Sequence, residues 1–538
     1  MTSLNGEGCY ANFLTDPLVR VRLNSGEVTP LSFPSIFTLL LRDEIDSFPA
    51  LRPHQRHVLH AFIVQLGALA LLGASETELD GDTDLWLKRL RGLTAIWTDD
   101  EPWCLVSPLS RPALLQPPVP EGSLDGFKLI ATSDELDMLI TSKNHDLKAS
   151  VASAGGPEDW FFALLSLQTQ EGFLGAGNYG ISRMNGGFAN RPGLGIAPPG
   201  GPGARVRRDI SVLIATRKEL LRGDGAGYSP TGGLGLDWLA AWDGTESLDL
   251  SNLDPWHIEI CRRVRVERVG ANFHARGKGT SAARIDAKML SGVTGDPWAP
   301  LVIEKDKRKM FSVSGGGFGY RKMVQLLFDT NAILSPPMQR IAETDNHSGL
   351  DIIARGLARG QGKTEGFHER RVPVSAWINK GWSRQASDPV AQLASARVAN
   401  AGEVARSVRF ALSLLVEPDR QQGERMKPQT EKAIQPWVDR FDLAIDRTFF
   451  SDMEREVVVL GDEAAASPER DTWLIWLQTQ GLDLIEDAAA ALGRGGMRRL
   501  RAIVRAKGAF SGLFFKTFPH LRAGKDDERS QARMGISA

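Results

Sequence analysis

The sequence predicts an α+β N-terminal domain with mixed and antiparallel strands and long loops over residues 1–388, followed by an all-α four-helix bundle over residues 389–538. Three observations lead to this. Strand and turn signals interleave with helical patterns up to about residue 388 and then largely stop. Four helix-length patterns with short breaks follow, the arrangement expected of antiparallel neighbours. A chain of 538 residues also exceeds what one compact core organises.

In chain order, Val19–Leu23 alternates, Asn24-Ser25-Gly26 supplies a turn, and the segment from Glu27 to Leu31 completes a β-hairpin. Helical patterns run from Pro34 to Arg42 and from Pro53 to Leu72, the second with proline in its first turn and Gly73 after its apolar run. The stretch from His60 to Gly73 is too short to span a bilayer and reads as a buried helix. A helix from Glu158 to Gln168 precedes about thirty residues rich in Gly, Asn and Pro, a length of irregular chain that is usually functional or disordered. Phe173, Tyr179, Ile181 and Phe188 are threaded through it, which favours an ordered loop. A helix resumes over Arg207–Arg222. Residues 256–330 read as strands and turns: His257–Val269, Lys288–Leu290, Pro300–Glu304 and Met310–Val313. The stretch LDIIARGLARG before Gln361 looks helical. The late helices are expected over Pro389–Val416, Thr430–Leu460, Pro468–Leu492 and Met497–Phe518.

Lys plus Arg (64) and Asp plus Glu (65) nearly cancel, which argues against a protein that coats nucleic acid indiscriminately but not against a local groove. One such place is Arg262–Lys288, with eight basic residues against two acidic ones. Cys9, Cys104 and Cys261 form no CxxC pair, so a reducing interior fits best, and the start of the chain does not read as a signal peptide; a cytoplasmic protein is expected.

The search for catalytic chemistry yields little. His54, His57 and His60 share a helical face but lack the further ligands a zinc site needs, so no metal is expected. Gly360-Gln361-Gly362-Lys363-Thr364 resembles the end of a phosphate-binding loop, yet position 357 is Leu where that motif requires glycine. Asn144-His145-Asp146 lacks the second histidine of an HNH nuclease, and no cluster of paired carboxylates suggests a two-metal site. A non-enzymatic protein without cofactors is expected. Binding loops remain: Gly172, Gly175 and Gly177 permit close backbone approach to a ligand or simply a tight surface turn, and Gln361 reads as an amide at a hairpin tip beside Lys363.

These loops, in this order, resemble the CasA family, the large subunit of the type I-E CRISPR Cascade complex. The resemblance rests on islands across most of the chain: ANFLTDPLVRVRLNSGEV, LRPHQRHVLHAFIVQLGALALL, EGFLGAGNYG, PWHIEIC (255–261), GDPWAP (295–300), GQGKTEGFHERR (360–371) and the helical C-terminal part. It implies a non-catalytic subunit that reads the protospacer-adjacent motif (PAM) of double-stranded DNA from the minor groove, helps start unwinding, and recruits a separate helicase–nuclease. Its partners would be the other Cascade subunits, the CRISPR RNA and the target duplex. Gly172, Gly175, Gly177 and Asn178 would face the PAM, and Gln361, flanked by Gly360, Gly362 and Lys363, would act as a wedge. Arg284, Lys288 or Lys278 could supply the family's lysine finger. Lys143, Asn144, His145 and Lys148 would lie on a loop toward the guide-RNA handle and the PAM side, and Arg498, Arg499, Arg501 and Arg505 would track DNA phosphates unless they form only a solvated face. Some family members carry a Cys-rich zinc knuckle after the HIEhC strand; here that segment reads RRVRVERVGANFHARGKG. Two other readings stay open: a metal-dependent nuclease or nucleotide hydrolase, and a protein–protein scaffold without DNA contact.

Overall fold

The computed structural model describes residues 8–137, 155–172, 175–184, 190–222, 227–346, 348–360, 363–382, 388–492 and 497–522. Contacts divide the chain into two compact units, Met1–Phe318 with Asn331–Pro373, and Gly319–Thr330 with Val374–Ala538. The first is α+β with mostly antiparallel small sheets; the second is helical.

The first unit is organised around the Arg56–Ala74 helix, which is apolar on nearly every face and therefore buried along most of its length. Proline opens the preceding turn, and the helix runs through Gly73 to stop at Ser75, whose left-handed backbone (φ 58°) lets its N–H reach the Leu71 and Leu72 carbonyls. Phe62 of this helix meets Phe33 at 5.9 Å and Phe161 at 5.7 Å between ring centroids, joining the Phe33–Leu41 and Pro157–Gln170 helices in one core. The Pro157–Gln170 helix starts where its sequence says it should, with proline in the first turn and the Asp159 carboxylate accepting the Gly156 N–H at 2.9 Å. It is the one membrane-length apolar helix among those described, Pro53–Ala74, that forms this core.

The strand reading of residues 256–330 needs correction in places. His257–Val269 is two strands, Leu253–Ile258 and Arg263–Val269, with a break between them. Lys288–Leu290 is a 3-10 turn, while strands run over Leu301–Glu304 and Lys307–Met310. The larger correction is at LDIIARGLARG, which is a strand, Asp351–Gly360, and forms a long hairpin with Lys363–Pro373. Its N-terminal half also pairs with Gly193–Ala197 on the other edge. A strand buried on both faces loses the period-two alternation and reads as a short helix. Gly356 shows the crowding: a Cβ there would sit 2.6 Å from Val313. Because strand and not helix follows Lys363, the phosphate-binding-loop context stays unmet.

In the second unit, long helices span Pro389–Val416, Pro428–Val458, Glu463–Leu492 and Met497–Thr517. Asp388 caps the first, its carboxylate accepting the Val390 N–H at 2.8 Å. Buried Arg397 donates to Glu456 at 2.9 Å and lies over Trp473, tying three of the helices together. Gly481 lets the third approach the fourth, since a Cβ there would meet the Phe510 ring at 2.5 Å. The Tyr320–Phe328 helix belongs to this unit: Tyr320 packs on Phe449 at 4.7 Å and its hydroxyl donates to Asp442 at 3.1 Å. A boundary at residue 388 leaves that helix, and Trp377, in the first unit; the contacts place both in the second.

Candidate nucleic-acid interface

The glycine loop leaves the Pro157–Gln170 helix at Glu171 and is closed at its base by the Ile181 N–H, which donates to the Glu171 carbonyl at 3.0 Å. Its tip is a tight turn in which the Asn178 N–H donates to the Gly175 carbonyl at 2.9 Å. Gly175 (φ 133°) and Gly177 (φ 85°) adopt backbone conformations that strain any other residue. Asn178 is exposed, Gly175 and Gly177 are half-buried, and Gly172 is buried, its carbonyl accepting from Arg262 at 3.0 Å. Gly172 thus anchors the loop and does not present it.

A second segment packs on this loop. The Thr280 N–H donates to the Gly177 carbonyl at 3.0 Å, and the Tyr179 hydroxyl donates to the Ser281 carbonyl at 3.2 Å. Lys278 is exposed two residues before Thr280, 3.9 Å from the Glu121 carboxylate. The long hairpin is the third part. Arg359, one residue before Gly360 at its distal end, lies 3.0 Å from the Glu171 carboxylate in a buried ion pair. Glycines hold the returning strand against a neighbouring loop, since a Cβ on Gly317 would collide with His368 and one on Gly315 would sit 2.9 Å from Glu365.

The basic run 262–288 is a basic face only in part: Arg268, Lys278 and Lys288 are exposed, while four arginines turn inward. Arg265 is 1% exposed and donates to the carbonyls of Ser107 (2.8 Å), Pro108 and Arg111 (both 3.1 Å). Burial pulls its guanidinium down to about 10, and does the same to Arg284, which donates to the Asp237 and Ala240 carbonyls at 2.8 Å. Arg263 is buried against Glu121, and Arg276 pairs with Glu267. Of the three lysine-finger candidates, Arg284 is therefore interior, while Lys278 and Lys288 are exposed. In the last helix Arg501 and Arg505 are exposed, Arg505 3.6 Å from Asp419, and Arg499 is half-buried; the side chain of Arg498 lies outside the described residues. So do Lys143, Asn144, His145, Lys148, Gln361 and Gly362, together with the Lys363 side chain, although Gly360 and Lys363 are register partners that frame the tip.

The three clustered histidines go separate ways. His54 bonds Asp137 at 2.8 Å and His60 bonds Asp209 at 2.7 Å. His57 stands edge-on to Trp298, filling the space a side chain on Gly193 would need. Burial, with Arg191 and Arg205 nearby, holds His57 well below the ordinary histidine range, and burial with Arg205 lowers His60 to about 4. Glu171, Arg359 and Thr280 join the three loops without having been singled out by the sequence. Only the glycines at 277 and 279, flanking Lys278, hint at this contact.

Taken together, these features define a two-unit chain that gathers loops from distant parts of an α+β unit and adds a helical unit. Its particular fold is that of CasA (Cse1). Solved structures over nearly the whole chain share it: Thermus thermophilus CasA (Cse1), at 14% identity and a TM-score of 0.63, covering 94% of this chain and 99% of that one; a CRISPR-associated protein Cse1 from Acidimicrobium ferrooxidans, at 12% and 0.62, covering 95% and 98%; and Thermobifida fusca Cse1, at 12% and 0.63, covering 94% and 98%. Compared by sequence, the chain matches no protein-family model and no curated protein.

Proposed function

We propose that this chain is the non-catalytic large subunit of a type I-E CRISPR RNA-guided Cascade complex, which recognises a PAM in duplex DNA from the minor groove and helps begin strand separation. The observation that carries this reading is the convergence of three separate segments: the glycine loop, the 278–281 segment bonded to it through Thr280, and the hairpin tied to its base through Arg359. The likeness to CasA (Cse1) structures over 94% of the chain supports it. A loop of Gly175 and Gly177 offers backbone rather than bulky side chains to a narrow groove, whose degenerate pattern suits tolerant PAM reading. Sequence choice is left to guide pairing, and the protein reads PAM and shape. In this reading Asn178 faces the groove, Gln361 is the wedge, and Lys278, beside the loop, is the finger. The 143–148 loop reaches the guide-RNA handle, the long C-terminal helices form a four-helix bundle, and the cytoplasmic complex recruits a helicase–nuclease.

The test is binding of the reconstituted complex to duplexes with and without a PAM. Gly175→Asp should abolish PAM-dependent binding, and Gln361→Ala should leave binding largely intact while slowing strand opening. If both variants bind and open DNA like wild type, the loop assignments fail and a scaffold without DNA contact takes their place. Metal-dependent cleavage by the isolated chain would instead establish an enzyme.

A further inference from the structure

Glu171 serves two of these loops at once. Its backbone carbonyl closes the base of the glycine loop, and its carboxylate meets Arg359 in the stem of the hairpin at 3.0 Å. Both side chains are nearly inaccessible, 3% and 4% exposed. Arg262 donates to the Gly172 carbonyl next to it at 3.0 Å. The backbone N–H groups of Cys261 and Arg262 are in turn held by the Gln168 side-chain amide oxygen (Oε1) at 2.9 and 2.8 Å, in the last turn of the helix that precedes Glu171. Arg359 also reaches across the hairpin to the Thr364 hydroxyl at 3.4 Å, next to a register shift between Ala358 and Arg359 that re-aims the distal end. Two loops from distant parts of the chain therefore share one buried charge pair, whose geometry a move of either loop would break.

We propose that the Glu171–Arg359 pair, backed by Arg262, couples the glycine loop to the hairpin, so that seating the loop in the PAM minor groove sets the hairpin for strand opening. This rests on the function proposed above. Glu171 and Arg359 are positioning residues; neither needs to touch DNA. The coupling is an energetic link between recognising and opening, and such links commonly amount to about 5- to 150-fold in an equilibrium.

The experiment compares the complex carrying wild type, Glu171→Gln, Arg359→Gln, the double variant and Arg359→Lys. Three duplexes are used: one with a PAM, one without, and one with a PAM beside a pre-opened bubble. Kd ratios report recognition, and permanganate reactivity of unpaired thymines reports opening. Each neutralising single variant should keep the PAM preference within about threefold and open the closed duplex about tenfold less well. The double variant should be no worse than either single, Arg359→Lys should recover part of the loss, and the bubble should restore all of them. Opening that the bubble does not restore, or that falls in step with melting temperature, would reduce the pair to a structural contact and overturn the proposal. So would wild-type opening in every variant. A wild-type complex that shows no PAM preference would instead overturn the functional reading itself, before any variant is compared.

Discussion

Residues 262–288 and the Met497–Thr517 helix are both strongly basic, eight Lys/Arg against two acids in one and six against none in the other, yet the fold uses them in opposite ways. In the first, four arginines turn inward: Arg262, Arg263, Arg265 and Arg284 are buried, and Arg265 and Arg284 donate to backbone carbonyls, while Arg268, Lys278 and Lys288 stay exposed. In the second, Arg501 and Arg505 point outward beside exposed Leu500 and Val504. Arginine is suited to the interior role because its planar, weakly hydrated fork can serve several acceptors at once. Local positive charge in a sequence therefore marks either a surface or a set of internal staples, and only burial separates them.

The sharpest way to break this comparison is to remove an interior staple. Arg265→Met should keep most of the volume but leave the Ser107 carbonyl without its donor, while Pro108 keeps the Arg111 N–H at 2.9 Å and Arg111 the Ser107 hydroxyl at 3.4 Å; a buried polar group left unpaired costs about 1–3 kcal/mol. A loss of about 1–3 kcal/mol is expected, read as a lower melting temperature, with the PAM preference of the surviving folded protein unchanged. Weakened DNA binding at unaltered stability would return Arg265 to the surface role.

Acidification tests the same interior next. His57 and His60 lie among Arg205, Arg355 and, for His57, Arg191, with Asp209 as the counter-charge bonded to His60. Their folded-state values are lowered, so below the unfolded value of about 6.5 the unfolded chain takes up protons that the folded one refuses. Their contribution is thus fully present above about pH 6.5 and is lost as pH falls toward 4. With His60 lowered to about 4, its share reaches about 3 kcal/mol. Melting temperature should drop across this window in the wild type and drop less in His60→Gln; equal drops would show that His60 does not carry the effect.

How much of this was legible depends on what each residue answers to. The late helices, the first hairpin and the core helix were readable because local periodicity specifies them, helped in the core helix by the proline that opens its first turn. The Asp351–Gly360 strand was not, because burial on both faces erased its alternation. The glycine loop was visible from Gly175 and Gly177, whose backbone needs no neighbour to explain it. Glu171 and Arg359 were invisible, since their meaning lies in a contact between remote segments, and no local pattern encodes which arginine will face which carboxylate. The same blindness hid which of the basic residues in 262–288, Arg262, Arg263, Arg265 and Arg284, turn inward.

The smallest effect expected, and the one that most sharpens the contrast, comes from the outward arginines. Arg501→Ala combined with Arg505→Ala should leave stability within about 0.5 kcal/mol, because the exposed Arg505–Asp419 pair contributes little. If the two guanidiniums neutralise phosphates in the complex, each contact contributes about 0.9 to the slope of log affinity against log salt, so the double variant should flatten that slope by about 1.8. The loss should be the same on duplexes with and without a PAM, since phosphate contacts position a duplex but do not read it. An unchanged slope would make the face merely solvated. A loss confined to PAM duplexes would be the more instructive failure, because it would assign sequence reading to a helix with no groove-fitting loop and undo the division of labour between the two basic regions.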